Sequence, residues 1–198
     1  MLTKLQKPLQ IKSKTYHFDC AIWTRPNPPL GETKDRLEAL SSKTFHIPCL
    51  TRSILYKEKE VQALRALLKT TKKKVRVIFT SSFVVDIFFK SLMGISLEKN
   101  CLFYSMGSAT KKRVESWGYS SYLEKDICSA TDLFYSISST WSSRSDLVIL
   151  PGAQKRASNL EVFCEDRGFE FFRIDLYKTF LGCNINDKRS FIDYFLTP

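Results

Sequence analysis

Two rhythms of apolar residues alternate along this chain. Short continuous runs such as Val75-Arg-Val-Ile-Phe-Thr80, Cys101-Leu-Phe-Tyr-Ser-Met106 and Asp146-Leu-Val-Ile-Leu150 read as strands buried on both faces. Between them, apolar positions recur every three or four residues, as at Val61, Leu64, Leu67 and Leu68, which marks one face of a helix. The pattern predicts strands over 18–24, 44–50, 75–80, 101–106, 146–150 and 169–177, with a short edge strand over 119–123. It predicts helices over 32–42, 57–70 and 83–93, one ending near Trp117-Gly118, one capped within Ser129-Ala-Thr-Asp132, and one over 155–167 stopped by Gly168. Residues Arg25-Pro-Asn-Pro-Pro-Leu-Gly31 form a stiff loop.

Strands alternating with helices of about ten residues predict a parallel sheet built from βαβ units. Ligands of such sheets collect outside the carboxyl ends of the strands, where the following helices point their N-termini. Three strand ends here share one character, since apolar residues give way to small, hydroxylic or glycine residues before a helix begins. Thr80, Ser81, Ser82, Ser108 and Thr110 are candidate hydroxyl donors there, and Gly107 and Gly152 would let a ligand approach the backbone. N-caps and turn formers are the alternative reading of the same residues.

Charge narrows the ligand class. The formal net charge is +11, from 31 Lys and Arg against 20 Asp and Glu, so anions of any kind concentrate near the protein. The run Lys72-Lys-Lys74 reads as a solvated turn, and Lys4, Lys7, Lys12 and Lys14 as a basic arm. No GxxxxGK[ST] or GxGxxG occurs, which makes carboxylates a better expectation than phosphates. The chemistry available is limited too: with His17 and His46 alone, a histidine zinc site or a Ser-His-Asp triad has little to draw on. Six scattered cysteines without a CxxC read as small buried hydrophobes of a reducing compartment. Without an apolar stretch of signal-peptide or membrane-span length, a soluble cytoplasmic protein is expected.

A set of short motifs then stands in a familiar order. Thr24-Arg-Pro26 follows the first strand and Ile47-Pro48 ends the second. Val77-Ile-Phe-Thr-Ser81, Met106-Gly-Ser-Ala-Thr110 with Trp117-Gly118, Leu150-Pro-Gly152 with Lys155-Arg156, Arg167-Gly168 and Leu176-Tyr-Lys-Thr179 come next. Over residues 20 to 180 the chain resembles the uroporphyrinogen-III synthase family. The resemblance implies an α/β fold of two parallel-sheet αβα domains joined by a two-stranded linker, with the ligand held between them. Domain one would be split over 18–50 and 185–198 and incomplete, and domain two would span 55–178. It also implies a lyase without cofactor or metal that closes linear hydroxymethylbilane, an octacarboxylate, into uroporphyrinogen III with inversion of the last ring. Tyr177, in the family's Tyr-x-Thr motif, becomes the candidate to protonate or hydrogen-bond the leaving hydroxyl. Arg25, Thr80, Ser81, Ser82, Gly107, Ser108, Thr110, Gly152, Ala153, Lys155, Arg156 and Thr197 become the candidate substrate contacts. A monomer acting on a small molecule is expected, with neither membrane nor nucleic acid as partner.

The sequence departs from the family after Ser190-Phe-Ile-Asp-Tyr-Phe-Leu-Thr-Pro198, which resembles the first strand returning to domain one. Completing that domain would take about two more αβ units, on the order of 60 residues. A shortened working synthase, a degenerate one and a truncated product all remain open. The function of another class to weigh against synthesis is non-catalytic binding of anionic ligands, nucleic acid included, on the same basic edge. No helix-turn-helix or RNP-like pattern supports sequence-reading of nucleic acid.

Overall fold

A computed structural model of the protein describes residues 17–25, 31–55, 57–97, 100–123, 129–156 and 159–181. The chain divides into two compact units: Ile54–Lys178 is one, and the chain on either side of it forms the other.

In the outer unit, β1 (Phe18–Trp23) and β2 (Ser41–His46) pair in parallel around α1 (Glu32–Leu40). The helix stops before residue 42, where its apolar spacing would take it, and the physical cause is local. Ser41 adopts an extended backbone that pairs with Phe18 of β1, while its N–H and, at 2.7 Å, its hydroxyl both donate to the Leu37 carbonyl and close the last helical turn. The second strand therefore starts three residues earlier than its apolar run suggests. β3 (Leu50–Ile54), which the apolar pattern does not signal, crosses into the next unit. Leu50 and Ile54 are exposed, so alternation with a buried face is missing.

The larger unit is a mostly parallel α/β sheet. Its helices and strands run α2 (Glu58–Thr70), β4 (Lys74–Phe79), α3 (Ser82–Ser91), β5 (Cys101–Ser105), α4 (Ser108–Glu115), β6 (Ser121–Tyr122), α5 (Ala130–Ser138), β7 (Asp146–Ala153), α6 (Leu160–Asp166) and β8 (Glu170–Leu181). With β3 at one edge, the strand order is β3-β8-β7-β4-β5-β6. From β4 the chain steps outward to β5 and β6, then returns to the other side of β4 as β7 and β8. The direction reverses between β4 and β7, and their carboxyl ends flank the position where such sheets hold ligands.

Packing explains the continuous apolar runs. Val75, Val77 and Phe79 of β4 face one cluster with Leu64 of α2, Val84, Phe88 and Phe89 of α3, and Val114 of α4. Ile78 of the same strand faces the opposite cluster, with Leu133 and Phe134 of α5 and Leu160 and Cys164 of α6. Helices cover both faces, so both sets of alternate side chains must be apolar. The exception, Arg76, is buried and paired: Nε donates to Asp146 Oδ1 at 2.7 Å and Nη1 to the Tyr104 hydroxyl at 2.9 Å. Asp146 also accepts the Ser142 N–H at 2.7 Å, so a polar network closes the amino end of the sheet.

Helix boundaries follow their caps. The Ser129 hydroxyl accepts the Asp132 N–H at 3.0 Å and opens α5. Gly118, at φ 85, takes the left-handed turn after α4 that a side chain would resist. The four described cysteines, Cys20, Cys49, Cys101 and Cys164, are free thiols, and Cys128 and Cys183 lie outside the described residues. Burial pushes the Cys101 thiol up to about 11 and Cys164 to about 12, so both behave as small hydrophobes rather than nucleophiles. No helix among the described residues is long and apolar enough to cross a membrane.

Candidate functional site

The carboxyl end of β4 carries Thr80, Ser81 and Ser82 in sequence, where the strand turns into α3. Ser81 is the N-cap, and its hydroxyl accepts the Phe83 N–H at 3.3 Å. The N-cap reading therefore holds for Ser81, and its hydroxyl oxygen is committed to the helix. Thr80 and Ser82 are half-buried, and among the described residues no hydrogen bond engages their side chains. Together with the first N–H groups of α3 they form a donor-rich corner at the switch point.

One strand along, Gly107 caps α4. Its φ of −156 is extended backbone that any residue adopts, and nothing lies within 4 Å of where a Cβ would stand, so Gly107 leaves open space there. Ser108 is exposed at the first helical position. Thr110 points the other way: it is 6% exposed and shares the packed face of α4 with Val114. The structure thus separates two hydroxyls that the sequence groups together.

β7 ends differently. Apolar spacing predicts a helix from residue 155, but α6 begins at Leu160. Lys155 and Arg156 sit in the turn between strand and helix, and their roles diverge. Lys155 is exposed, without an ion pair or hydrogen bond among the described residues. Arg156 folds back on the protein: Nε donates to the Ala153 carbonyl at 2.9 Å, and Nη2 to the Ile174 carbonyl at 3.1 Å and to Asp175 Oδ1 at 3.2 Å. Its side chain is 12% exposed, and Nη1 stands 3.5 Å from Glu161 Oε1. Those bonds hold Arg156 against the ends of β7 and β8.

Gly152 is explained by the same arginine. A Cβ there would lie 3.0 Å from both Cζ and Nε of Arg156, so the space expected for an approaching ligand is occupied by the guanidinium. Arg173 and Lys57 extend the cluster, Arg173 at 2.9 Å and Lys57 at 3.6 Å from Asp175, with Lys57 also 2.7 Å from Glu60. Three cations, Lys57, Arg156 and Arg173, meet three carboxylates, Glu60, Glu161 and Asp175. Glu161 Oε1 is buried and lacks a directed hydrogen bond; Arg156 at 3.5 Å and Arg173 at 3.4 Å hold it by charge. Burial, partly offset by Glu161 and Asp175, draws the Arg156 guanidinium below its ordinary value. The carboxylates escaped sequence reading because Asp175 is 19 residues from Arg156 and no short motif links them.

Tyr177 lies on β8 beside this cluster. A register shift at Gly152/Ala153 places Ala153 opposite Tyr177, and the Tyr177 carbonyl accepts the Gln154 N–H at 2.8 Å. Its side chain is 8% exposed, and no hydrogen bond among the described residues engages the hydroxyl. The ring meets Phe83 edge to face, with centroids 5.0 Å apart. Phe83 also lines a groove of about 520 Å3 between α2 and α3, with Leu55, Val61, Ile87 and Lys90. Asp86, also in that lining, clamps α3 to α4 through two bonds from Arg113 Nε (2.7 and 2.9 Å), one from Nη2 (2.7 Å) and one from Trp117 Nε1 (2.9 Å).

Arg25 belongs to the outer unit, where it is exposed and its guanidinium lies 5.5 Å from the Trp23 ring centroid. Its carbonyl accepts a hydrogen bond from His46 Nε2 at 2.9 Å, which gives His46 the structural role its position in a strand suggests. Thr197 lies outside the described residues.

A family model described as uroporphyrinogen-III synthase HemD matches residues 31–195. The fold is similar to a crystal structure of a mutant uroporphyrinogen III synthase from Thermus thermophilus, with a TM-score of 0.52 at 13% identity. That match covers 82% of this chain and 63% of the Thermus chain, so this chain spans less than two thirds of that protein's length. A uroporphyrinogen-III synthetase structure from Helicobacter pylori matches with a TM-score of 0.48 at 12% identity, covering 87% of this chain and 67% of that one. No curated protein sequence matches the chain.

Proposed function

The chain belongs to the uroporphyrinogen-III synthase family, and from that premise we propose that it closes hydroxymethylbilane into uroporphyrinogen III with inversion of the last pyrrole ring. The observation that supports this reading is the family match over residues 31–195, joined to a sheet edge whose donors are available at β4 and α4. In this reading Thr80, Ser82, Ser108, the α3 N-terminus and Lys155 receive acetate and propionate carboxylates. Arg156 and Gly152 act behind that edge by fixing the turn that carries Lys155.

The chemistry begins with loss of the terminal hydroxyl. Tyr177 donates its phenolic proton to that oxygen as the carbon–oxygen bond breaks, water leaves, and the tyrosinate takes up the pyrrole N–H proton, so that an electrophilic azafulvene remains. The substituted carbon of the last ring attacks it to give a spiro intermediate, which fragments and recloses with that ring inverted. Unassisted closure gives the uninverted isomer, so the protein's main contribution is to hold the bilane in the conformation that favours the spiro route. In this reading the protein is a cytoplasmic monomer acting on a small molecule, and nucleic acid is not its ligand.

The test is a product-isomer assay with the full chain and freshly made hydroxymethylbilane, separating type I from type III uroporphyrins after oxidation. An excess of type III over the protein-free control is expected. Type I alone, from folded protein, overturns the synthase reading.

A further inference from the structure

Tyr177 lies on β8 and Phe83 follows β4, strands that are not neighbours, since β7 stands between them. Their rings nevertheless meet, with centroids 5.0 Å apart and planes at 80°. Both backbones are pinned: the Phe83 N–H is bound to the Ser81 cap, and the Tyr177 carbonyl accepts from Gln154. Between them the β7 position opposite Tyr177 is Ala153, one of the smallest residues available.

A buried tyrosine ordinarily finds a hydrogen-bond partner that fixes its ring. Here none of the described residues binds the hydroxyl, and among them it is packing, with the Phe83 ring in contact, that orients the phenol. We propose that Phe83 is a positioning residue for Tyr177, holding the phenol by edge-to-face contact so that its hydroxyl stays unbound and correctly aimed for the leaving group. This rests on the synthase reading of Tyr177. A phenol held by its ring meets substrate without first giving up a protein partner, whereas one held through its hydroxyl would have to exchange it. The device also links the two strand ends, because Phe83 belongs to the first turn of α3, whose N–H groups face the same edge.

The experiment combines a contact readout with a kinetic one. In protein carrying 13C-labelled tyrosine rings, Tyr177→Phe assigns the Tyr177 signal. Phe83→Leu should shift that signal as the ring current is lost, and lower kcat for type III formation about fivefold with KM unchanged, the size expected for one edge-to-face contact. Phe83→Tyr, which keeps an aromatic ring, should retain most of the rate. In a Tyr177→Phe background, Phe83→Leu should cost nothing further. If the Leu variant does not fold, Phe83→Met, of similar volume, carries the same readouts. An unmoved Tyr177 signal, or an equal loss of kcat in the Tyr177→Phe background, overturns the positioning role while leaving the synthase intact. Wild-type protein that makes type I alone removes the reaction itself, and with it the role, an outcome distinct from either of those.

Discussion

The β4 end and the β7–β8 end of the same sheet edge look equally polar in sequence and behave oppositely in the structure. At β4, short hydroxyl side chains and a helix N-terminus leave donors open, since among the described residues Ser81 alone of the three bonds the protein through its side chain. At β7 and β8, long charged side chains turn inward and neutralise one another, with Arg156 held by Ala153, Ile174, Asp175 and Glu161. The difference is one of reach. A serine at a strand end touches its own helix, whereas an arginine can find carboxylates on two other elements. A cation next to a glycine is therefore no guide to an anion site until its partners are known.

The strongest way to break the comparison is Arg156→Ala. It leaves Glu161 and Asp175 facing each other with less compensation, and should destabilise the larger unit by about 3 kcal/mol, the order seen when one partner of a buried pair is removed. Thermal unfolding measures it. Full stability with weakened binding of product would return Arg156 to the ligand and make the two ends alike.

The β4 side has one charged clamp of its own, behind α3. Burial raises the Asp86 carboxyl, but the bonds from Arg113 and Trp117 and the charge of Arg113 outweigh it and hold the group below its ordinary value. A depressed carboxyl contributes stability above its unfolded pKa and loses it as pH falls through the folded one. Asp86→Asn should therefore cost on the order of 1 kcal/mol at neutral pH, discounted because Arg113 is half exposed, and little in acid. A stability difference that persists unchanged into acid would show that the clamp works through shape rather than charge.

The smallest expected effect is that of Lys155→Ala. Stability should stay within about 0.5 kcal/mol, as for an unpaired surface side chain, while affinity for the octacarboxylate product drops about threefold. Unaltered affinity in a fluorescence titration would confine the anion contacts to the hydroxyls and helix ends. That outcome would sharpen the contrast between the two ends rather than weaken it.

Much of the architecture was legible because local patterns dictate it. Runs such as Val75–Phe79 must be covered on both faces, and Ser129 and Gly118 can mark helix ends through bonds and angles within a few residues. What local pattern could not show was set by distant partners or by missing alternation. Ser41 left α1 to pair with Phe18 of β1, β3 had no buried face to signal it, and Thr110 was turned inward by the packing of α4. At the candidate site, the order of short motifs singled out the strand ends and Tyr177 as candidates, yet gave no sign of Phe83, Glu161 or Asp175.

The sequence by itself determined a parallel α/β chain with a basic balance and a family of motifs at its strand ends, because periodicity, caps and charge are properties of neighbours along the chain. Tertiary structure alone decided which polar groups at those ends remain free. That choice depends on whether a carboxylate, a carbonyl or an aromatic ring from another strand comes within a few ångströms, and such distances exist only once the sheet has formed.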